Sequence, residues 1–330
     1  MIEESENTKQ LRASFDDFYN RKLLPLFAEL EKERRRYLTF FILGLAIMFV
    51  VLPALMLLLF WIFVMSDGGG FHYEGEVPAG GIMFFILIAI VIVATPILKY
   101  QKKAKNRIMP EFIKFFGSFT YQYQKTVNDS LWEKSKLVGA YNRHSGDDYF
   151  CGVYNDTTIT ISEERLLMHT RNGKHSSTST VFDGIALILS MKKNFQGQTV
   201  VFKDWGMFNG FHSLGNLFNS LKKVTLEDSV FEKEFEVYSD DQLEARYLLT
   251  TAFMERMLKV REAFKGKKIQ FSFFDNMLFI AIDTNENMFE TTSLFTGCTR
   301  KKMVDRAFEQ FLSVLSIADT LQTGRKNSFS

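Results

Sequence analysis

Residues 37–65 read YLTFFILGLAIMFVVLPALMLLLFWIFVM, 29 positions without a charged side chain. A helix rises about 1.5 Å per residue and needs about 20 apolar residues to cross the hydrocarbon core of a bilayer. This run is therefore long enough to span a membrane with tilt. A secretory signal is shorter, starts nearer the N-terminus and ends in small residues; a run that begins at residue 37 has none of those features. Pro53, near its middle, predicts a kink. A second uncharged run, GGIMFFILIAIVIVATPIL at residues 80–98, is close to the minimum spanning length. Its β-branched residues are no obstacle, because a helix satisfies its own backbone groups in lipid. Together the runs predict a transmembrane hairpin with an outside loop at residues 66–79.

Charge orients that hairpin. Lys22, Lys32, Arg34, Arg35 and Arg36 precede the first run, and Lys99, Lys102, Lys103, Lys105 and Arg107 follow the second. The loop SDGGGFHYEGEVPA carries Asp67, Glu74 and Glu76 and no base. The positive-inside bias then puts both termini in the cytoplasm. Arg34, Arg35, Arg36, Lys99, Lys102, Lys103, Lys105 and Arg107 are also the candidates for contact with anionic lipid, where each base is worth about 1 kcal/mol of attraction. The glycines at residues 68–70 lack the lysine and the strand-to-helix setting of a phosphate cradle and read as a flexible linker.

The rest of the chain is balanced in charge. Of 40 Lys/Arg and 38 Asp/Glu, 13 and 11 precede residue 108, which leaves 27 of each beyond it. A nucleic-acid partner would need a basic stripe on the folded domain, so that class is set aside. Two cysteines, Cys151 and Cys298, make neither a disulfide framework nor a metal-ligand spacing. The expected layout is an N-terminal cytoplasmic amphipathic helix (1–36), the hairpin (37–98), a basic juxtamembrane segment and helix (99–127), and a cytoplasmic α+β domain (128–330).

Periodicity supplies the elements. Residues 10–36 predict a helix broken near Pro25, with Leu11, Phe15 and Phe18 and then Leu23, Leu26, Phe27 and Leu30 on one side. Residues 110–124 predict another, with Phe112, Phe115, Phe116 and Phe119. These two are expected to pair below the membrane, the rival arrangement being flat on the lipid surface. Strands are expected at 157–162, 165–170, 180–191, 199–202 and 230–238. A helix follows over 240–264, with Ser239 as N-cap and Gln242 completing a capping box. Residues 269–274 and 277–282 flank Asp275-Asn276 as a β-hairpin, and a last helix covers 300–321. Strand runs with helices between and after them point to an antiparallel or mixed sheet in an α+β domain.

Chemistry is sparse. His144, Asp147, Asp148 and Cys151 crowd into HSGDDYFC, but no paired HxxxH or CxxC spacing supports a metal site, and a turn entering a strand uses such residues anyway. Gly173-Lys174-His175-Ser176 lacks the first glycine of a phosphate loop. Cys298, His169 and His212 have no nucleophile–base neighbours in the sequence. No catalytic residue, metal or cofactor is nominated. Arg246 stands out because, on a continuous helix over 240–264, it points into the apolar side made by Leu243, Tyr247, Met254 and Met257. A guanidinium there must be paired, and Glu290, Asp148 and Asp241 are the expected partners. Asp148, Asp241, Arg246 and Glu290 are accordingly the candidate binding residues.

Several stretches resemble a known family. They are Asp148-Tyr149-Phe150-Cys151-Gly152, Ser162-Glu163, Val181-Phe182-Asp183-Gly184, FQGQTVV at 195–201, FEKEFEVYSDDQLEARYLLT at 231–250, Ile269-Gln270-Phe271-Ser272-Phe273 and Phe289-Glu290. The family they resemble is the bacterial membrane-protein group called Domain of Unknown Function 3137. The resemblance implies an N-terminal helix, two spans and a cytoplasmic domain, hence a bacterial inner-membrane location, and implies no activity. The chain ends GRKNSFS, departing from the basic-apolar-aromatic tail of that group.

The function expected is a membrane-anchored cytoplasmic binding or scaffold module. Its partners would be the lipid bilayer and another membrane or cytoplasmic protein, and a homo-oligomer is compatible with it. The alternative is a membrane-tethered enzyme with a site assembled from Asp148, Asp241, Arg246 and His169. A channel or transporter is disfavoured because the spans hold no charge. The topology has a direct test. Cysteines placed at Ser66 or Gly75 should react with a membrane-impermeant thiol reagent in intact cells, and a reporter fused after Ser330 should behave as cytoplasmic. A C-terminus on the outside would reverse the orientation.

Overall fold

The computed structural model describes residues 6–66, 79–173, 175–203, 220–264, 267–297 and 301–322. The chain divides into two units: Met1–Phe112 with Thr291–Val304, and Ile113–Glu290 with Asp305–Ser330.

The first unit is helical: α1 (Glu6–Phe18), α2 (Leu24–Ala46), α3 (Leu52–Ser66) and α4 (Ala79–Ile113). The expected break near Pro25 and kink at Pro53 take a particular form. A π-turn at Tyr19–Leu23 runs into α2, whose second residue is Pro25, and another at Ile47–Val51 runs into α3, whose second residue is Pro53. Proline lacks an N–H and crowds the carbonyl four residues back. A wider turn at that point removes the clash, so the helix continues. Among the described residues one helix, Gln10–Leu55, is long and apolar enough to cross a membrane, and only 6% of its apolar window is buried. Residues 80–98 are helical as part of α4. The loop residues 67–78 lie outside the described residues.

α2 and α4 run antiparallel along one seam. Glu29 pairs with Arg107 at 2.6 Å, Glu33 with Lys103 at 2.9 Å, Tyr37 meets Tyr100 at 6.0 Å between ring centres, and Gly44 faces Ile92. Leu23, Phe27, Leu30, Tyr100, Ala104, Ile108 and Phe112 are wholly buried in this unit. A Cβ on Gly44 would stand 3.1 Å from Ile92 Cγ2, so the glycine is what lets the helices come this close. The expected pairing of the two helices occurs through Phe15 and Phe112, 6.0 Å apart edge-on. The stripe expected to continue it does not. α4 ends at Ile113, and Gly117 at φ 110°, a backbone that side chains disfavour, starts a strand that contains Phe119.

The basic candidates are divided by the same seam. Arg34 is bound to Glu31 at 2.7 Å with its side chain 12% exposed, Lys105 is buried, and Lys103 and Arg107 hold the acids of α2. Arg34, Lys103 and Arg107 are thus engaged within the unit. Arg35, Arg36, Lys99 and Lys102 are exposed.

The second unit is built on one sheet. The nine described strands are β1 (Ser118–Tyr123), β2 (Arg143–Tyr154), β3 (Thr157–Asn172), β4 (His175–Ser190), β5 (Thr199–Lys203), β6 (Lys222–Val224), β7 (Phe235–Ser239), β8 (Lys268–Phe274) and β9 (Met277–Asp283). Their order is β1-β2-β3-β4-β9-β8-β5-β7-β6, antiparallel throughout. The class is α+β, as expected. The β8–β9 hairpin sits between β4 and β5, and Asp275 and Asn276 take φ of 49° and 56°, the left-handed pair that a two-residue hairpin turn requires.

Three expected elements are corrected. Residues 157–162 and 165–170 are one strand, β3. Residues 230–238 split into a helix, α6 (Ser229–Glu234), capped by Asp228, and β7. The helix over 240–264 is two, α7 (Gln242–Leu248) and α8 (Thr251–Ala263). Its N-cap is Asp241, which accepts from the Leu243 and Glu244 amides, whereas Ser239 ends β7.

Alternate residues of each strand line opposite faces. On one face Trp132, in α5 (Asp129–Ser135), lies 4.9 Å from Phe182 and 4.8 Å from Phe279. On the other, Phe150, Phe289 and Phe311 form a triangle with ring centres 5.2–5.9 Å apart, Phe311 coming from α9 (Lys301–Gln322). The helical seam makes the prediction for this architecture. With the native cysteines replaced, Gly44→Cys and Ile92→Cys should form a disulfide under mild oxidation, leaving the chain joined after cleavage in residues 67–78. Two separate fragments would mean that α2 and α4 do not run side by side.

Candidate functional site

The polar chemistry of the second unit gathers where β2 and β3 fall out of register. Tyr149 pairs with Ser162 and Gly146 with Glu164, so Asp147 and Asp148 together oppose Glu163. That is a β-bulge. Gly146 is required there, because a Cβ would lie 2.4 Å from the Lys125 carbonyl oxygen. The bulge leaves Asp148 fully buried, accepting a 2.6 Å hydrogen bond from the Tyr121 hydroxyl. Burial, and then the Asp148 charge, push the Tyr121 phenol well above its usual range. Asp147, Asp148 and Glu290 each bring one carboxylate oxygen within 4.8 Å of the others. Carboxylate oxygens are the donor type a divalent cation such as Ca²⁺ or Mg²⁺ takes, and these are the residues that could hold one. Sequence spacing could not propose the set, since Glu290 joins it through the fold.

Beside the bulge, a cleft of about 220 Å³ is lined by Ser145, Asp147, Glu163, Glu164, Arg165, Asp183 and Glu286, among others. Several of its acids have partners. Arg165 donates to Asp183 at 2.8 Å, Lys267 meets Glu286 at 2.8 Å, and Glu163 accepts from the Met288 amide at 3.0 Å.

His144 closes the α5 side of this region. Its Nδ1 lies 2.6 Å from Asp129 Oδ1, and its Nε2 makes a very short contact with Glu164 Oε2. Glu164, whose side chain is fully buried, also accepts from the Val127 amide at 2.7 Å and from the Ser162 hydroxyl. Tyr141 donates to Asp129 at 2.8 Å. One imidazole therefore ties the first turn of α5 to β3. Neither the His144 nor the Glu164 role was legible in HSGDDYFC, because Glu164 and Asp129 reach His144 from other elements.

Beside α5, between it and the sheet, lies a half-open groove of about 500 Å³. Val127, Leu131, Ile188 and Met277 give it apolar walls, and Thr158, Thr160 and Ser190 line it with hydroxyls. At its mouth the Lys125 ammonium stands 4.1 Å from the centre of the Tyr149 ring.

The four residues named from sequence separate into two kinds. Asp148 and Glu290 meet in the carboxylate set. Asp241 is a helix cap, and Arg246 is exposed, donating to the Gln242 and Thr225 carbonyls at 3.3 Å each. The expectation of a buried Arg246–carboxylate pair is thus overturned. The helix breaks between α7 and α8, so a wheel drawn across the break loses phase. Leu243 and Tyr247, assigned to the apolar side, are 79% and 53% exposed. His169 lies on β3, bonded to Thr178 at 2.9 Å. Cys151 accepts from Thr160 at 3.6 Å, and Cys298 and His212 lie outside the described residues.

Comparison with known proteins adds the following. Residues 180–323 match the family described as "Protein of unknown function (DUF3137)", so the resemblance read from the motifs holds from β4 to α9. No curated protein matches the chain. Among solved structures, the crystal structure of the mycobacterial trehalose monomycolate transport factor A, TtfA, is similar at 11% identity over 62% of this chain and 91% of that chain, with a TM-score of 0.32. That likeness is too low to carry an argument.

The histidine bridge gives a pH dependence with a definite sign. Burial alone would lower the His144 pKa, but the Glu164 and Asp129 carboxylates outweigh it and hold it above the usual 6.5. A raised pKa means that stability from His144 is complete below about pH 6.5 and is lost as pH rises through the raised value. Asp129 is held low, first by the Tyr141 hydroxyl, and its contribution is lost only as pH falls through that depressed value. The melting temperature of the sheet unit should be highest near about pH 5–6 and fall toward about pH 9. His144→Gln should flatten that fall, and His144→Leu, which leaves Glu164 without its counter-ion, should cost about 3 kcal/mol. An unchanged profile in His144→Gln would remove the bridge as its cause.

Proposed function

We propose that this chain is a two-pass protein of a bacterial inner membrane, with both termini cytoplasmic, whose sheet unit is a binding module. Its site is the groove beside α5, and its ligand has an apolar body and an anionic end. The two uncharged runs and the base-poor loop between them support the membrane part. The observation that carries the binding part is Lys125 at the mouth of an apolar groove of about 500 Å³. Volumes of this order, apolar walls and a few placed polar groups are what small-ligand sites have. A cation held over an aromatic ring at the rim is positioned to receive an anion while the walls take the apolar part. The enzyme alternative lacks such support: Asp148 on β2, His169 on β3, and Asp241 with Arg246 on α7 each have separate partners.

The reading is tested in cells on the full chain. A photoreactive phenylalanine analogue in place of Thr160 should capture one adduct on illumination, identified by mass spectrometry. The same analogue at Arg171, on the exposed end of β3, should not capture it. Because a charge-assisted contact is worth about 1.5–3 kcal/mol, Lys125→Glu should reduce the adduct by about tenfold or more, and Leu131→Asp should abolish it. An adduct indifferent to both changes would mean that the groove is not the site.

A further inference from the structure

We infer that the turn Ser293–Thr296 is a membrane-contacting element that seats the Phe295 ring in lipid beside the first apolar run. The inference rests on the membrane reading above. Residues 291–299, TTSLFTGCT, carry no charge between Glu290 and Arg300, in a chain where 24% of residues are charged. Their first part forms a tight turn: Ser293 and Thr296 bridge, the Thr296 amide donates to the Ser293 carbonyl at 3.3 Å, and the Phe295 amide donates to the Ser293 hydroxyl at 3.3 Å. Leu294 and Phe295 are its tip.

The turn is fixed at a defined level of the helical unit. Arg34 Nη1 donates to the Leu294 carbonyl at 2.8 Å, Thr292 and Tyr100 hydroxyls lie 3.0 Å apart, and Thr291 donates to Met109 Sδ at 3.8 Å. Leu294 is buried by this docking, at 1% exposed, while Phe295 stays 59% exposed. The Phe295 ring stands edge-on to Phe41, with centres 5.2 Å apart. Phe41 is five residues beyond Arg36, the last charge before the run, a rise of about 7.5 Å along a helix. That depth falls in the interfacial layer, about 5–10 Å deep, where amphipathic elements insert. Phe40, Ile42 and Leu43 around it are 53–60% exposed, so Phe295 extends an apolar band already assigned to lipid. Arg35, Arg36 and Lys99 are exposed at the charged end of that band and suit an anionic leaflet. An exposed aromatic continuous with a spanning segment, with no charge in its own turn, has lipid as its complementary partner.

The test reads depth directly. The full chain, with Cys151→Ser and Cys298→Ser, carries an environment-sensitive fluorophore on Phe295→Cys or, separately, on Leu57→Cys within the span. Each is reconstituted in vesicles of phosphatidylcholine and phosphatidylglycerol, with or without lipids bearing a nitroxide high on the acyl chain. The inference expects blue-shifted emission at position 295 and a large loss of it with nitroxide lipid. Quenching at 57 but not at 295 overturns the inference and leaves the membrane reading standing. Blue-shifted but unquenched emission at 295 also overturns it, since protein then covers the ring. Absence of quenching at both positions removes the membrane reading itself.

Discussion

An acidic stripe on one helix facing a basic stripe on another is the constraint from which the helical unit follows. Glu29 and Glu33 lie on α2 just before the apolar run; Lys103 and Arg107 lie on α4 just after its own, while Glu31 holds Arg34 on α2 itself. Opposed charges at matched heights fix the register of the two helices. Each pair taken alone is worth little at a surface. A row of them over a buried apolar seam, from Leu23 and Phe27 to Ile108 and Phe112, acts as one interface. The seam also decides which bases remain for other work. Arg34 carries a backbone carbonyl of the turn at Leu294 as well as Glu31, so its charge is committed within the unit.

In the sheet unit the equivalent constraint is the cost of burying charge. An ionised carboxylate away from water is tolerated only with partners. Glu164 has the Val127 amide, the Ser162 hydroxyl and His144, and Asp148 has Tyr121. The bulge at Asp147–Asp148 concentrates these groups at one place, and Gly146 makes room for it. The segment from Lys125 to α5 is then held on two sides, by His144 to Glu164 and by Trp132 in the aromatic core. The groove lies along that segment. One of its walls is therefore a clamped element, which gives the groove a defined shape.

Local sequence determined a great deal here. Two uncharged runs, the bases flanking them and the acids between them came straight from residue type, because hydrophobicity and charge are properties of the side chains and need no fold. The β8–β9 hairpin was legible in Asp275-Asn276, since a two-residue turn demands left-handed backbone that these residues tolerate. The last helix was legible in its period. Where local signals competed, the reading failed. The block at 230–238 alternated like a strand, yet the Asp228 cap turned its first half into a helix. The run over 240–264 kept a helical period, yet it breaks at Leu249–Thr250, and Arg246 rotated from the expected apolar side into solvent.

The candidate site belonged almost wholly to the tertiary structure. His144, Asp129 and Glu164 come from β2, α5 and β3; Asp147, Asp148 and Glu290 meet across a bulge and a long return of the chain. Spacing along the sequence carries no signal for such sets, because their geometry is produced by strand register and by helices packed across a sheet. What the sequence alone determined was which segments are apolar and which are charged, and the local turns. Which charges are buried, and against whom, only the packed sheet and the paired helices could decide, since burying a charge takes partners that distant residues supply.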